Sequence, residues 1–162
     1  LNSNILNDLA IEIVTQDISS FIFGAYSHGR KDCLLKSARI PYVSKNNSTS
    51  FKKSFFYTFS CSSGRELGTN LIDNGCHCFI GYKDIIAIWS TYTKPFVECA
   101  NYGLIQFFNG EESHIIINLM KDKYNKEIDD LYKKDYLIAS ILMENRNALV
   151  LYGDNINITH IK

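Results

Sequence analysis

Apolar positions along the chain fall into short, nearly unbroken runs separated by longer stretches of helical spacing. Ile5, Leu9 and Ile13 in "NILNDLAIEIVTQ" (4–16) predict a helix, and "SFIFGAYSHG" (20–29) then gives a buried strand that stops at His-Gly. Residues 36–54, with Pro41 and "SKNNSTSFKKS", read as an exposed connection with a short strand at "RIPYV", and 44–54 could be a nicked or mobile loop. "FFYTFSC" (55–61) is the next strand. "SGRELGTNLIDNG" predicts a helix through Leu67 and Leu71, stopped by Asn74-Gly75, and "CHCFIGY" (76–82) a third strand. In "PFVECANYGLIQFFNG" the set Phe96, Val97, Ala100, Leu104, Phe107 and Phe108 makes one helix face, again stopped by Asn-Gly. "SHIIINLMKDKYNKEIDDLYKK" is a longer helix, amphipathic through Tyr124, Ile128, Leu131 and Tyr132. One more helical stretch leads to a fourth strand, "ALVLYGD" (148–154).

Helices between short, almost wholly apolar strands indicate βαβ units, so the expected class is α/β, with a mainly parallel sheet covered by helices on both faces. No repeat, low-complexity tract or interdomain linker divides the 162 residues, which read as a single domain over 1–162. Lys+Arg and Asp+Glu balance at 17 each, so no basic field calls for nucleic acid. No apolar run approaches the roughly 20 residues of a membrane span. The five cysteines, an odd number at positions 33, 61, 76, 78 and 99, follow no signal-peptide pattern and suggest free thiols in a reducing, cytoplasmic setting. A chain that starts at Leu1 is expected to be a piece of something longer.

Reacting groups in an open parallel sheet gather beyond the carboxyl ends of the strands. His28 ends one apolar run and Cys61 ends the next, 33 positions later, room for one crossover. If the two strands are neighbours, their ends stand about 5 Å apart and imidazole faces thiol. The thiolate is the attacking form and a free cysteine ionises near pH 8.5, so an imidazole that activates the thiol or protonates a leaving amine completes a dyad. A helix starting at Ser62–Arg65 would add its positive end, Ser62, Ser63 and Gly64 leave space for a substrate, and the N–H groups of Gly29 and Cys61 are candidate oxyanion donors. Against this stands the ordinary role of cysteine as a small buried hydrophobe and of a strand-end histidine as a satisfied polar residue.

"FIFGAYSHG" followed by "FFYTFSCSSGRELGTNLIDNGCHCFIGY" resembles the caspase-like superfamily of cysteine peptidases, which includes caspases, gingipains, separases and bacterial CHAT-type peptidases. There an apolar strand ends in His-Gly, and the next ends in Cys followed by small residues. "NALVLYGD" looks like the terminal strand of CHAT- and gingipain-type members. The resemblance spans 20–154 and implies a thiol protease with His28 as general acid/base, Cys61 as nucleophile, and Gly29 and Cys61 N–H holding the oxyanion. It implies a protein or peptide substrate, no cofactor, an attached or separate sensor region, and sheet strands upstream of Leu1. "SCSSG" is not the "QACxG" of caspases, so a preference for aspartate does not transfer, and "GYKD" lacks the Gly-Thr-Trp of many CHAT members.

Asp84, just past the third strand, could receive a Lys or Arg side chain, with Tyr82 and Trp89 as walls; equally, Asp84 is a solvated turn residue and the aromatics are core. Cys76, His77 and Cys78 do not make a metal site, because His77 points away from the two thiols along a strand and no second Cys/His pair has zinc spacing. Neither phosphate-loop nor dinucleotide motif occurs, and the residue where a CX5R loop needs arginine is Leu67. His114 and His160 have no partner in sequence. The expected activity is therefore a cysteine endopeptidase, and the alternative is an inactive protein-binding module on the same sheet.

Overall fold

The computed structural model describes residues 6–37 and 39–161, so Ile5 lies outside it. Helix α1 (Asp8–Thr15) opens on Asn7, whose side chain accepts from Ala10 N–H at 2.8 Å. Its buried contact is Ile11; Leu9 and Ile13 are about 60% exposed, at 62% and 60%.

Strands β1 (Ile22–Tyr26), β5 (Phe55–Phe59), β6 (Cys78–Tyr82) and β7 (Leu149–Gly153) form a sheet of order β1-β5-β6-β7. The first three are parallel and β7 runs antiparallel to β6. The class is α/β with a mixed, mostly parallel sheet. The reversal at β7 follows from chain entry: helix α5 (Tyr136–Ala148) runs into Leu149 without a loop, and Leu149 pairs with Tyr82, the last residue of β6.

Helices cover both faces. Phe55, Tyr57 and Phe59 of β5, with Cys78, Ile80 and Tyr82 of β6, face α3 (Lys94–Phe108), α4 (Ser113–Tyr132) and α5. Phe56 and Phe79 face the other way, onto α1 and α2 (Leu67–Asp73). Because neighbouring residues of a strand point to opposite faces and both faces are dry, β5 and β6 read as unbroken apolar runs.

The α3 contact line is rotated from the predicted one. It runs through Phe96, Ala100, Gly103 and Phe107, leaving Val97 46% and Phe108 59% exposed. The cause is Gly103: a Cβ there would lie 2.8 Å from Tyr57 Cε2 and collide with Met120 Sδ, so the helix can approach β5 and α4 only along its bare edge. The Phe107 ring then stacks on Phe55 at 3.8 Å between centroids, 3° from parallel. Along α4, Tyr124, Ile128 and Leu131 are buried as predicted and Tyr132 is exposed.

A second, antiparallel sheet fills the interval after β1. It joins β2 (His28–Gly29), β3 (Cys33–Lys36) and β4 (Ile40–Ser44) in order β2-β3-β4. Strand β3 was not predicted. The predicted exposed connection is instead well packed: Tyr42, Val43, Asn47, Ser48, Phe51 and Ser54 are buried. Asn47 Nδ2 donates to Tyr42 O at 2.9 Å while its Oδ1 accepts from Ser44 N–H at 2.9 Å, which fixes the turn leading into the short 3-10 helix Ser48–Phe51. Helix α2 starts at Leu67, later than predicted, because Ser62 has φ 57, a left-handed value that no helix continues.

Candidate active site

Strands β1 and β5 are direct neighbours, in register to Tyr26 opposite Phe59. Two residues beyond each end stand His28 and Cys61. The chain leaves β1 at Ser27 and turns aside into the small sheet, where His28 pairs with Leu35. That turn lays Gly29 on the backbone of Cys61: a Cβ at 29 would sit 2.5 Å from Cys61 O, 2.9 Å from Ser60 Cβ and 3.2 Å from Cys61 N. The glycine after His28 therefore has a spatial reason, since any larger residue at 29 would push the β2 hairpin off the backbone of Cys61.

The hairpin carrying His28 is anchored from the cysteine side. Glu66 and Leu67 N–H both donate to Lys31 O at 2.8 Å, and Lys31 Nζ meets Glu66 Oε1 at 2.8 Å on the surface. The first donors of α2 are thus occupied by Lys31 and are not directed at Cys61, which corrects the expectation of a helix end at Ser62–Arg65 aiding the thiol.

Beneath the two residues runs a chain of hydroxyls. Tyr42 O–H donates to Ser27 Oγ at 2.9 Å, Ser27 Oγ lies 3.3 Å from Ser60 Oγ, Ser60 Oγ lies 2.8 Å from Thr58 Oγ1, and Thr58 donates to Ala25 O at 3.0 Å. Burial pushes the Tyr42 phenol above its ordinary value, so it remains a donor at neutral pH. The chain stitches the ends of β1, β4 and β5 together. Its trace in the sequence is Thr58 and Ser60, two apart at the end of an otherwise apolar strand.

His28 and Cys61 line one cleft of about 750 Å³, walled by Tyr26, Leu35, Phe59, Ile86 and Ile88 with Lys36 as the charged residue. Cys61 is half-buried, whereas Cys33, Cys76, Cys78 and Cys99 are buried. Burial pushes the Cys76 thiol up to about 11 and the Cys78 and Cys99 thiols up to about 12, and it raises Cys33 as well. Cys76, Cys78 and Cys99 are core packing and Cys33 is buried in the small sheet, whereas Cys61 is the thiol that solvent reaches.

The Cys61 Sγ–H donates to Ile86 O at 3.4 Å, and among the described residues it makes no hydrogen bond to His28. The following residue, Ser62, holds its left-handed φ of 57 by donating its N–H to Asp84 O at 2.9 Å, and Gly64 N–H donates to Tyr82 O at 2.8 Å. The Cys61 N–H has no backbone acceptor among the described residues. Arg30 N–H donates to Cys33 O at 2.9 Å, so the alternation of an antiparallel ladder leaves the Gly29 N–H, opposite Leu34, pointing off the ladder. Among the described residues neither candidate oxyanion donor has a backbone acceptor, and Gly29 packs on Cys61.

Asp84, Tyr82 and Trp89, expected at the substrate side of the site, lie elsewhere. Asp84 Oδ1 pairs with Arg65 Nη2 at 2.6 Å and faces a separate hollow with Ile85, Glu144 and Asn147. Sequence gives no sign of that pairing, because the two residues come from different loops. Tyr82 is buried in the core, its hydroxyl 3.1 Å from that of Tyr124. Trp89 borders another hollow with Tyr92 and Leu131. The cleft wall is formed instead by Ile86 and Ile88, which sequence reading did not single out.

Among the described residues no group of three or more His, Cys, Asp or Glu side chains is placed to hold a metal, and no helix is long and apolar enough to cross a membrane. His77 lies 3.4 Å from Asp154, and His160 closes a capping box with Asn157. No protein-family model, curated protein or solved structure matches this chain.

Proposed function

We propose that the chain is a cysteine endopeptidase that acts through Cys61 and His28, in keeping with its resemblance to the caspase-like superfamily. The observation that carries the reading is the seating of Gly29 on the Cys61 backbone, which joins two neighbouring strand ends into one cleft lined by an imidazole and the reachable thiol, beside two N–H groups that have no backbone acceptor among the described residues. In the reaction, the Cys61 thiol turns from Ile86 O towards His28 and yields its proton to the imidazole. The thiolate adds to the substrate carbonyl, and the oxyanion is held by Gly29 and Cys61 N–H. The C–N bond then breaks as His28 returns the proton to the leaving amine. Water adds to the thioester, releasing the acid and the thiol.

An aliphatic or aromatic substrate residue fits the wall of Ile86, Ile88, Phe59 and Tyr26, and no carboxylate stands among the described residues of that wall to receive Lys or Arg. The substrate is a protein, and an attached sensor region would switch the activity. The bond from the thiol to Ile86 O favours a second reading, an inactive domain that uses the cleft to hold a protein partner.

Exposure to a trileucine acyloxymethyl ketone separates the two. Displacement of its carboxylate by the thiolate leaves a thioether, and mass spectrometry is expected to place it on Cys61 in the native chain and to find it lost in His28→Ala. A folded native chain that stays unlabelled overturns the peptidase reading in favour of the binding module.

A further inference from the structure

Residues 85–89, which carry Ile86 and Ile88, have no regular secondary structure, so no ladder holds the cleft wall in place. What holds it is a buried side chain. Asn145 of α5, 1% exposed, donates from Nδ2 to Ala87 O at 2.8 Å and accepts from Ala87 N–H at 3.0 Å through Oδ1. One carboxamide thus satisfies both backbone groups of one residue, as a neighbouring strand would.

The bonds around this segment alternate. Carbonyls of Tyr82, Asp84 and Ile86 meet Gly64 N–H, Ser62 N–H and the Cys61 thiol on one side, while Lys83 N–H and Ala87 turn to Ala148 O and Asn145 of α5 on the other. The β6 strand is in effect prolonged past the cysteine, and its outer end depends on Asn145.

We propose that Asn145 is a positioning residue of the thiol cleft: by clamping Ala87 it holds Ile86 and Ile88 as the wall against which an apolar substrate side chain binds. This rests on the peptidase reading. Asn145 touches neither the reacting atoms nor the cleft, so it acts through Ala87. An amide at this point is not needed for packing, since a leucine of similar size would fill the space while leaving both Ala87 groups unpaired.

The test is the two-step inactivation of the full chain by the trileucine acyloxymethyl ketone, resolved into KI for binding and kinact for the chemical step. Asn145→Leu is expected to raise KI about tenfold while kinact stays within about threefold. General destabilisation would lower the labelled fraction and leave KI where it was. Asn145→Asp keeps the acceptor for Ala87 N–H and is expected to fall between the two, which preserves the test if Asn145→Leu does not fold. His28-dependent labelling of the native chain with KI unchanged in both variants overturns the positioning role alone. A native chain that is not labelled at all overturns the peptidase reading, and the positioning role falls with it.

Discussion

A methyl group on residue 29 would lie 2.5 Å from the Cys61 carbonyl oxygen, with Ser60 Cβ at 2.9 Å on another side, and neither neighbour is the end of a flexible side chain. Gly29→Ala must therefore move backbone. The expected cost is about 1–3 kcal/mol, seen as a lower urea midpoint, with Cys61 losing at least about tenfold of its alkylation advantage over the other cysteines. Unchanged selectivity would mean that the contact does not set the site. At this scale the chemistry was legible and the geometry was not. "SHG" and "SCSSG" name an imidazole, a glycine and a thiol, but nothing in the string says that Ser62 is left-handed, that Asp84 is paired with Arg65, or that Ser27, Ser60 and Tyr42 share a hydroxyl chain. Those facts arise from residues brought together across the fold, where spacing carries no information.

Elements were legible where they are long enough for their burial to show a run or a period. Strands β5 and β6 announce themselves because both of their faces are dry, and α2 and α3 end where Asn-Gly pairs end them, at Gly75 and Gly110 with φ of 92 and 98. Strand β3 is four residues between "GRKD" and "SAR", too short to show a period, although Leu34 and Leu35 are buried. The rotated face of α3 was hidden for a different reason: apolar spacing counts side chains, and the contact line passes through a residue that has none. Gly103→Ala sets two effects against each other. Alanine favours a helix over glycine by about 1 kcal/mol. The added methyl collides with Met120 Sδ and approaches Tyr57 Cε2 and Oη to 2.8 and 2.9 Å, an overpacking worth about 1–3 kcal/mol. The collision should win, and thermal denaturation is expected to show a lower midpoint; a higher one would contradict the packing described for α3.

For the whole molecule, the sheet with a core on each face places Cys76, Cys78 and Cys99 out of water, Cys33 is buried in the small sheet and Cys61 stands at the cleft, and that division has consequences of its own. Cys76, Cys78 and Cys99 ionise near 9.0 when unfolded but only at about 11 to 12 when folded, because burial opposes the thiolate. Between about pH 9 and pH 12 the unfolded chain therefore holds fewer protons, and stability falls as pH rises, by about 1.4 kcal/mol per pH unit for each thiol. Below pH 9 their contribution is fully present. The urea midpoint should accordingly drop steeply between pH 9 and 11, and a flat profile would show that these thiols are not buried. The same division leaves Cys61 as the thiol that can work as a pair with His28. The most direct test of that pairing is the rate at which iodoacetamide alkylates each of the five cysteines near pH 7, mapped by mass spectrometry in the native chain and in His28→Ala. Cys61 is expected to react first by a wide margin, and most of this margin to disappear without His28. If Cys61 reacts no faster than the buried thiols, or keeps its full advantage when His28 is gone, the two residues share a cleft without sharing a proton, and the peptidase reading is contradicted.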